Sequence, residues 1–337
     1  MPRPRTASPV APEEAAKLQQ PRPSHPTAAS LRQTVGAYVA LTKPRIIELL
    51  LVTTLPTMFV AKRGLPGLGL MAATLAGGTL AAGGANAINM VVDRDIDRLM
   101  DRTKGRPLVT GAMTPRAALI FAISIETLAF VWLWTTVNLL SGVLAVAACL
   151  FYVFVYTLWL KRTSRQNIVI GGAAGAVPVL VGWSAVQNRL TWAPILLFAV
   201  IFVWTPPHFW ALAVKYRDEY AAADVPMMPV VASFRHTAQR IVGYSVVMWA
   251  LTIAFTWVGD MGTLYLVSAV VLGAVFLGYA IALYRAGTAP GPAPTLGVGG
   301  TLVKPAMRLF GWSITYVTLL FAAMAIDQLI VHGLHGR

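Results

Sequence analysis

Apolar residues run in long, unbroken stretches through most of this chain, and short polar stretches punctuate them. A bilayer core about 30 Å thick takes roughly 20 apolar residues per helix. Nine stretches of that order lie near 42–61, 66–90, 115–136, 139–160, 167–187, 191–213, 238–258, 262–284 and 307–332. They lack the alternation of a barrel strand, so the pattern predicts helices. The expected fold is all-α, a polytopic membrane bundle of about nine transmembrane helices. Residues 1–36 are rich in Pro, Ala and Ser and have no apolar core, which predicts a disordered cytoplasmic tail ahead of a membrane domain over 37–337.

Charge adds an orientation. The net charge of +14 would suggest nucleic acid in a soluble protein, but with 57% hydrophobic residues the position of the charges matters more than their sum. With the N-terminus cytoplasmic, 23 of the 27 Lys and Arg residues fall inside, and only Lys62, Arg63, Arg189 and Arg337 fall outside. The positive-inside rule therefore places the N-terminus in the cytoplasm and the C-terminus outside, with no nucleic-acid partner expected. A bacterial plasma membrane is the expected location and the mitochondrial inner membrane the alternative, since Glu13 and Glu14 weaken a transit peptide. A lone cysteine, Cys149, excludes a disulfide framework.

This orientation collects the chemistry at one face. Asp93, Asp95, Asp97 and Asp101 follow the second apolar run, and Asp218, Glu219 and Asp224 follow the sixth. Both stretches are cytoplasmic and four spans apart, as if a helix-helix-loop-helix-helix unit were used twice around a central cavity. In "NMVVDRDIDRLMDRTKGRPL", residues 89–108, Asn89, Asp93 and Asp97 stand at i, i+4 and i+8 and share a face if the helix continues through them. Like charges four apart repel, so the spacing costs stability unless a cation lies between them.

An amide and two carboxylates form a hard-oxygen set suited to Mg2+, which usually keeps several waters and takes substrate phosphates as further ligands. Arg98, Arg102, Lys104 and Arg106 are interleaved with the acids and suit phosphate oxygens. "YTLWLKRTSRQN" adds Tyr156, Lys161, Arg162 and Gln166 on the same side. The set fits a lipid diphosphate, with its head at the cytoplasmic loops and its tail between helices. A solvated helix end is the plainer alternative for a mixed Asp and Arg run, and the second acidic loop weighs against it.

The spacing N-x-x-x-D-x-x-x-D at Asn89, Asp93 and Asp97 resembles the first aspartate-rich motif of the intramembrane aromatic prenyltransferases. The strings "DRDIDRLMDRTKGRPL", "YTLWLKRTSRQNIVIGGAAGAVPVLVGW", "WTPPHFWALAVKYRDEYAAADVPMMPVV" and "AMRLFGWSITY" are similar to the haem-farnesylating branch of that superfamily. This resemblance implies a nine-helix bundle and Mg2+-dependent transfer of farnesyl from farnesyl diphosphate to a vinyl group of protohaem IX. The product would be haem O, the precursor taken up by a haem A synthase. It implies that Asn89, Asp93 and Asp97 hold Mg2+ and diphosphate, that Lys161 and Arg162 contact phosphate, and that Asp93, Asp97 and Lys161 are catalytic. Where the superfamily carries a second pair of aspartates four apart, this chain has Lys215, Asp218, Glu219 and Asp224. Asp218 and Glu219 are therefore the candidates for a second metal group.

His208, in "TPPHFWAL" beside Trp210, is a candidate haem contact through the same resemblance, with a packed core histidine as the alternative. Lys43 and Arg45, in "TKPRIIELL", suit haem propionates or lipid phosphates equally, and Glu48 inside the first span suggests a cavity-facing role. Two other functions remain open. One is a prenyltransferase acting on a different aromatic acceptor such as a quinone precursor. The other is a membrane transporter, although transporters place coupling charges near the midplane and these acids cluster at one face.

Overall fold

A computed structural model describes residues 31–333, apart from the side chains of residues 46, 49 and 50. Every regular element among them is helical. Leu31–Thr42 (α1) and Pro44–Lys62 (α2) meet at Lys43, whose left-handed φ of 53° breaks the helix just before a proline. Leu68–Val92 (α3) leads into the short helices Arg94–Asp97 (α4) and Pro107–Thr110 (α5). Pro115–Thr136 (α6), Leu139–Thr163 (α7), Asn167–Gln187 (α8) and Trp192–Lys215 (α9) follow. Two more short helices, Arg217–Ala222 (α10) and Met228–Val231 (α11), precede Phe234–Val258 (α12), Thr263–Ala286 (α13) and Val303–His332 (α14).

Eight of these, α3, α6 to α9 and α12 to α14, are long and apolar enough to cross a membrane. The 19-residue α2 packs among them, against α8 and α14. Each long helix begins and ends within four residues of its expected position. The largest differences, at α12 and α14, arise because polar first turns read as loop. Ser233 accepts the His236 N–H at 3.2 Å and starts α12 four residues early, ahead of Arg235 and Arg240. The pattern assigned no element to α1, which lies partly in the expected tail; residues 1–30 of that tail fall outside the described residues.

Helix ends are satisfied by named partners. Thr114 and Asn138 cap α6 and α7 by accepting the Ala117 and Ser141 N–H groups. Asp327, buried in α14, caps α13 from a distance of 62 residues or more in the chain. Its Oδ2 accepts the Gly262 N–H at 2.6 Å and its Oδ1 the Tyr265 N–H at 3.1 Å. A carboxylate is well placed at a helix N-terminus, where the dipole favours negative charge. At this end Trp134, Trp192 and Trp257 are exposed, as expected of an aromatic belt at one membrane surface.

The centre of the bundle is α8, which touches α2, α3, α7 and α9. Two adjacent glycines let it come close on two sides. A Cβ at Gly171 would overlap the Tyr156 ring of α7, and one at Gly172 would press on Thr205 of α9. At the end opposite the belt, the stretches after α3 and α9 repeat one design. Each has a short helix with acids in its first turn, then a second short helix with proline at its start. This echo is the structural form of the twice-used unit suggested by the spacing of the acids.

Candidate active site

Helical continuity gathers the acids of the first loop. Although α3 ends at Val92, the Asp93 N–H donates to Asn89 O at 2.9 Å and the Asp97 N–H to Asp93 O at 2.8 Å. The i, i+4, i+8 face therefore runs on through α4. Asn89, Asp93 and Asp97 are each no more than 3% exposed. Two carboxylates buried so deeply persist only with cations beside them.

Those cations come from three other segments. Lys161, at the end of α7, pairs with Asp93 Oδ2. Arg106 Nη1 donates to Asp97 Oδ2 at 2.6 Å. Lys43, at the α1–α2 break, donates to Asn89 Oδ1 at 2.7 Å. Asn89 uses its amide fully, donating from Nδ2 to Asp93 Oδ2 at 2.8 Å and to Thr157 Oγ1 at 3.0 Å. Lys161 and Arg106 balance the two carboxylates and Lys43 stands beside them on Asn89, so the cluster can take a ligand more anionic than a carboxylate.

A π-helical stretch, Phe151–Leu160 inside α7, sets the register of this wall. The Thr157 hydroxyl donates to Tyr152 O, five residues back, at 2.8 Å. Such wide turns are rare and often occur at functional sites. Here the turn aligns Thr157 with Lys161 against the acids and stacks Tyr152 on Tyr156, with ring centroids 5.4 Å apart.

Arg162 faces outward from the same corner. It binds Asp95 in bidentate fashion, at 2.7 and 2.8 Å, and donates to Val92 O at 3.2 Å. The Arg162 guanidinium holds the Asp95 carboxyl well below the usual carboxylate range. Its Nη2 also lies 3.8 Å from Asp93 Oδ1. An open cleft of about 480 Å³, lined by Val91, Val92, Arg94, Asp95, Leu158 and Arg162, lies on its outer side. Arg162 thus stands between that cleft and the buried aspartate.

The second loop is joined to the first through Arg102. Its Nη2 donates to the Tyr220 hydroxyl at 2.7 Å, and its guanidinium lies 5.0 Å from the ring centroids of both Tyr216 and Tyr220. Glu219 Oε2 lies 3.9 Å from Arg102 Nε. Asp218 instead faces solvent and pairs with Arg217 at 3.1 Å. Lys215 lies over the Tyr216 ring. Arg45, Glu48 and Arg98 are exposed, and Lys104 pairs with Asp101 at the surface. Among the described residues, no three His, Cys, Asp or Glu side chains converge as a metal site. The structure gathers Lys43, Asn89, Asp93, Asp97, Arg106 and Lys161 into one network and leaves Asp218 outside it.

Whether these residues suit Mg2+ turns on one atom. Asp93 Oδ1 is fully buried and has no hydrogen bond. Buried polar atoms are rarely left so. Together with the oxygens of Asn89 and Asp97 it forms the hard-oxygen set that Mg2+ prefers, so the residues fit the ion. Both side-chain polar atoms of Asn167 and Glu219 Oε2 are likewise buried without a hydrogen bond.

His208 lies in a separate, uncharged setting. Its ring is stacked between Trp204, at 4.2 Å, and Phe310, at 4.7 Å, with Phe209 edge-on at 5.0 Å. His208 Nδ1 and Ser313 Oγ are 2.6 Å apart. Trp210 is buried against Tyr244. The sequence reading had assigned nothing to Tyr152, Thr157, Tyr220 or Ser313. The i, i+4 spacing of Tyr152 and Tyr156 was visible, whereas the role of Thr157 depends on the π-register, which the sequence does not display.

Comparison with known proteins adds three findings. The UbiA prenyltransferase family model matches residues 50–314. Protoheme IX farnesyltransferase of Frankia alni is 54% identical over 296 residues, spanning 88% of this chain and 99% of that protein. The fold is shared with a solved digeranylgeranylglyceryl phosphate synthase, at a TM-score of 0.70 and 14% identity over 88% of this chain and 99% of that one. It is shared also with a UbiA homologue from Archaeoglobus fulgidus bound to GPP and Mg2+, at a TM-score of 0.60 and 17% identity over 85% and 99%.

Proposed function

The chain belongs to the UbiA prenyltransferase family, and on that premise we propose that it transfers a farnesyl group from farnesyl diphosphate to a vinyl group of protohaem IX, giving haem O. The observation that carries this reading is the cluster of Lys43, Arg106 and Lys161 around Asp93 and Asp97 at one end of an apolar bundle. It suits a diphosphate head whose chain extends between helices. The acceptor rests on the similarity to the Frankia alni enzyme over nearly its whole length.

Lys161, Lys43 and Arg106 are within reach of phosphate oxygens and exchange their carboxylate and amide partners for them when the diphosphate binds. Arg162 guides the head past Asp95. Asn89, Asp93 and Asp97 would hold Mg2+, which supplies charge neutralisation to the departing diphosphate. The stacked Tyr152 and Tyr156 rings present π-faces beside the carbon left electron-poor as the diphosphate departs. The ion-paired loops exclude water from that carbon until the vinyl group has captured it. A water then adds to the cation left on the other vinyl carbon and gives up a proton, completing the hydroxyethylfarnesyl side chain. The membrane is the bacterial plasma membrane, with the N-terminus and this cluster in the cytoplasm and the C-terminus outside; a haem A synthase takes the product.

The test is product analysis. Purified protein in detergent receives protohaem, farnesyl diphosphate and Mg2+, followed by chromatography and mass measurement. A haem whose vinyl group has become a hydroxyethylfarnesyl side chain, absent with chelator and with Asp93→Ala, is the expected result. Unchanged haem together with a prenylated quinone precursor would overturn the acceptor, and no prenylation of either would overturn the reaction.

A further inference from the structure

Taking the Asp93 cluster as the diphosphate site of the proposed reaction, we infer that the cleft on the outer side of Arg162 is the docking subsite by which the prenyl diphosphate enters, with Asp95 as its latch. Asp95 is a positioning residue: it holds the Arg162 guanidinium until a phosphate group takes its place.

The lining supplies the ligand chemistry. The open cleft holds about 480 Å³, within the range of small-molecule sites. Arg94, Asp95 and Arg162 line it where the bundle ends, and Val91, Val92 and Leu158 line it towards the middle of the spans. Leu158 precedes Arg162 by four residues on α7, and Val91 and Val92 close α3 just before Arg94 and Asp95. Charge at one end and an apolar wall at the other suit an amphiphile, its anionic head on the arginines and its chain turned into the bilayer.

Two ion pairs meet at this corner, and only one of them opens cheaply. The side chains of Asp93 and Lys161 are 0% and 15% exposed, so parting them strands a buried charge. Those of Asp95 and Arg162 are 61% and 33% exposed, and water replaces either partner at small cost. The Asp95 contact is bidentate, at 2.7 and 2.8 Å, a geometry that a phosphate group reproduces with more negative charge. A phosphate head therefore displaces Asp95 where another carboxylate would not. Arg162 Nη2 also donates to Val92 O at 3.2 Å, so the guanidinium keeps its place at the mouth when the latch opens. The same nitrogen lies 3.8 Å from Asp93 Oδ1, so a head held by Arg162 has reached the edge of the buried cluster. Asp95 thus competes with the substrate, and binding is tighter without it. A carboxylate that served only to orient Arg162 would act in the opposite sense, since its loss would leave the guanidinium loose and weaken binding.

The test measures binding, which needs no acceptor. Protein in phosphatidylcholine nanodiscs with Mg2+ is mixed with farnesyl diphosphate or with inorganic diphosphate, and Kd and association rate are read by calorimetry and stopped flow. Asp95→Asn should lower Kd for both ligands by about three- to fivefold, the size an exposed ion pair accounts for. Arg162→Gln should raise Kd, and adding Asp95→Asn to it should change nothing further. Leu158→Trp, which fills the apolar end of the cleft, should slow association of farnesyl diphosphate severalfold and leave that of inorganic diphosphate as it was. Weaker binding in Asp95→Asn overturns the latch. So does tighter binding that persists in the Arg162→Gln background, which would be a general effect of charge. An Asp95→Asn effect seen only with added phosphatidylglycerol would give the cleft to a membrane lipid headgroup and overturn the inference as well. An unaltered farnesyl diphosphate rate in Leu158→Trp overturns entry by this route. Binding without prenylation of haem removes only the acceptor of the proposed reaction and leaves this inference standing on the Kd series. If the wild type binds no diphosphate, the diphosphate site has failed and the inference with it.

Discussion

The two acidic loops lie at the same end of the bundle and have opposite fates. In the first, Asp93 and Asp97 lie within the helical path that continues α3, and so are carried into the bundle and paired with Lys161 and Arg106. In the second, α9 ends at Lys215 and Asp218 comes out on the solvent side, paired with its neighbour Arg217. Only Glu219 leans inward, towards Arg102 of the first loop. Acidic composition is therefore a poor guide to a site by itself. What decides is whether the helix register still points inward where the acid falls, and whether other segments bring cations to meet it.

The largest break in this comparison comes from neutralising one acid in each loop. Asp93→Asn should lower farnesyl transfer at least about a hundredfold, since it removes charge that orients the reacting head and leaves Lys161 without its partner. Asp218→Asn should change the rate by no more than about twofold, as expected of an exposed pair. Equal losses in the two variants, measured by product formation, would mean that the second loop moves inward during turnover. A middle-sized effect should come from the tie between the loops. Arg102→Leu removes a hydrogen bond and two cation–π contacts, together worth about 2 kcal/mol. Hydrogen exchange over residues 216–225 should then speed up, and Tyr220→Phe, which keeps the ring, should speed it up less. Unchanged exchange in Arg102→Leu would show that the loops are held by other means.

The smallest effect belongs to Asp95. Its side chain is 61% exposed, so Asp95→Asn should cost less than about 1 kcal/mol of thermal stability. The sign with pH follows from its lowered carboxyl pKa. Its contribution holds above the ordinary carboxylate pKa near 4 and disappears as pH falls below it. Stability curves of the variant and the wild type should therefore converge at low pH.

Much of this was legible in the sequence for a physical reason: a bilayer forces helices of nearly fixed length, so the apolar runs marked α2 and the eight longer helices closely and passed over the short ones. Asn89, Asp93 and Asp97 were legible because i+4 spacing and helical geometry are the same statement. The cations were found as a set, but which of them turned inward was not. Arg98 and Lys104 stand in the same stretch as Arg106 and face solvent, since the loop beyond α4 has no sequence period to read. Lys43 reaches Asn89 only because the chain breaks ahead of Pro44. Thr157 and Ser313 were missed because each acts through a partner distant in sequence, and in the case of Thr157 through a π-turn as well.

Asp327 has a bearing on how the chain is assembled. The amides it accepts belong to the first turn of α13, yet the carboxylate arrives only with α14, the last helix synthesised. Without it those amides would have only water at the membrane surface to accept from them. The last helix thus closes the first turn of the one before it, so the two stand or fray together at this end of the hairpin.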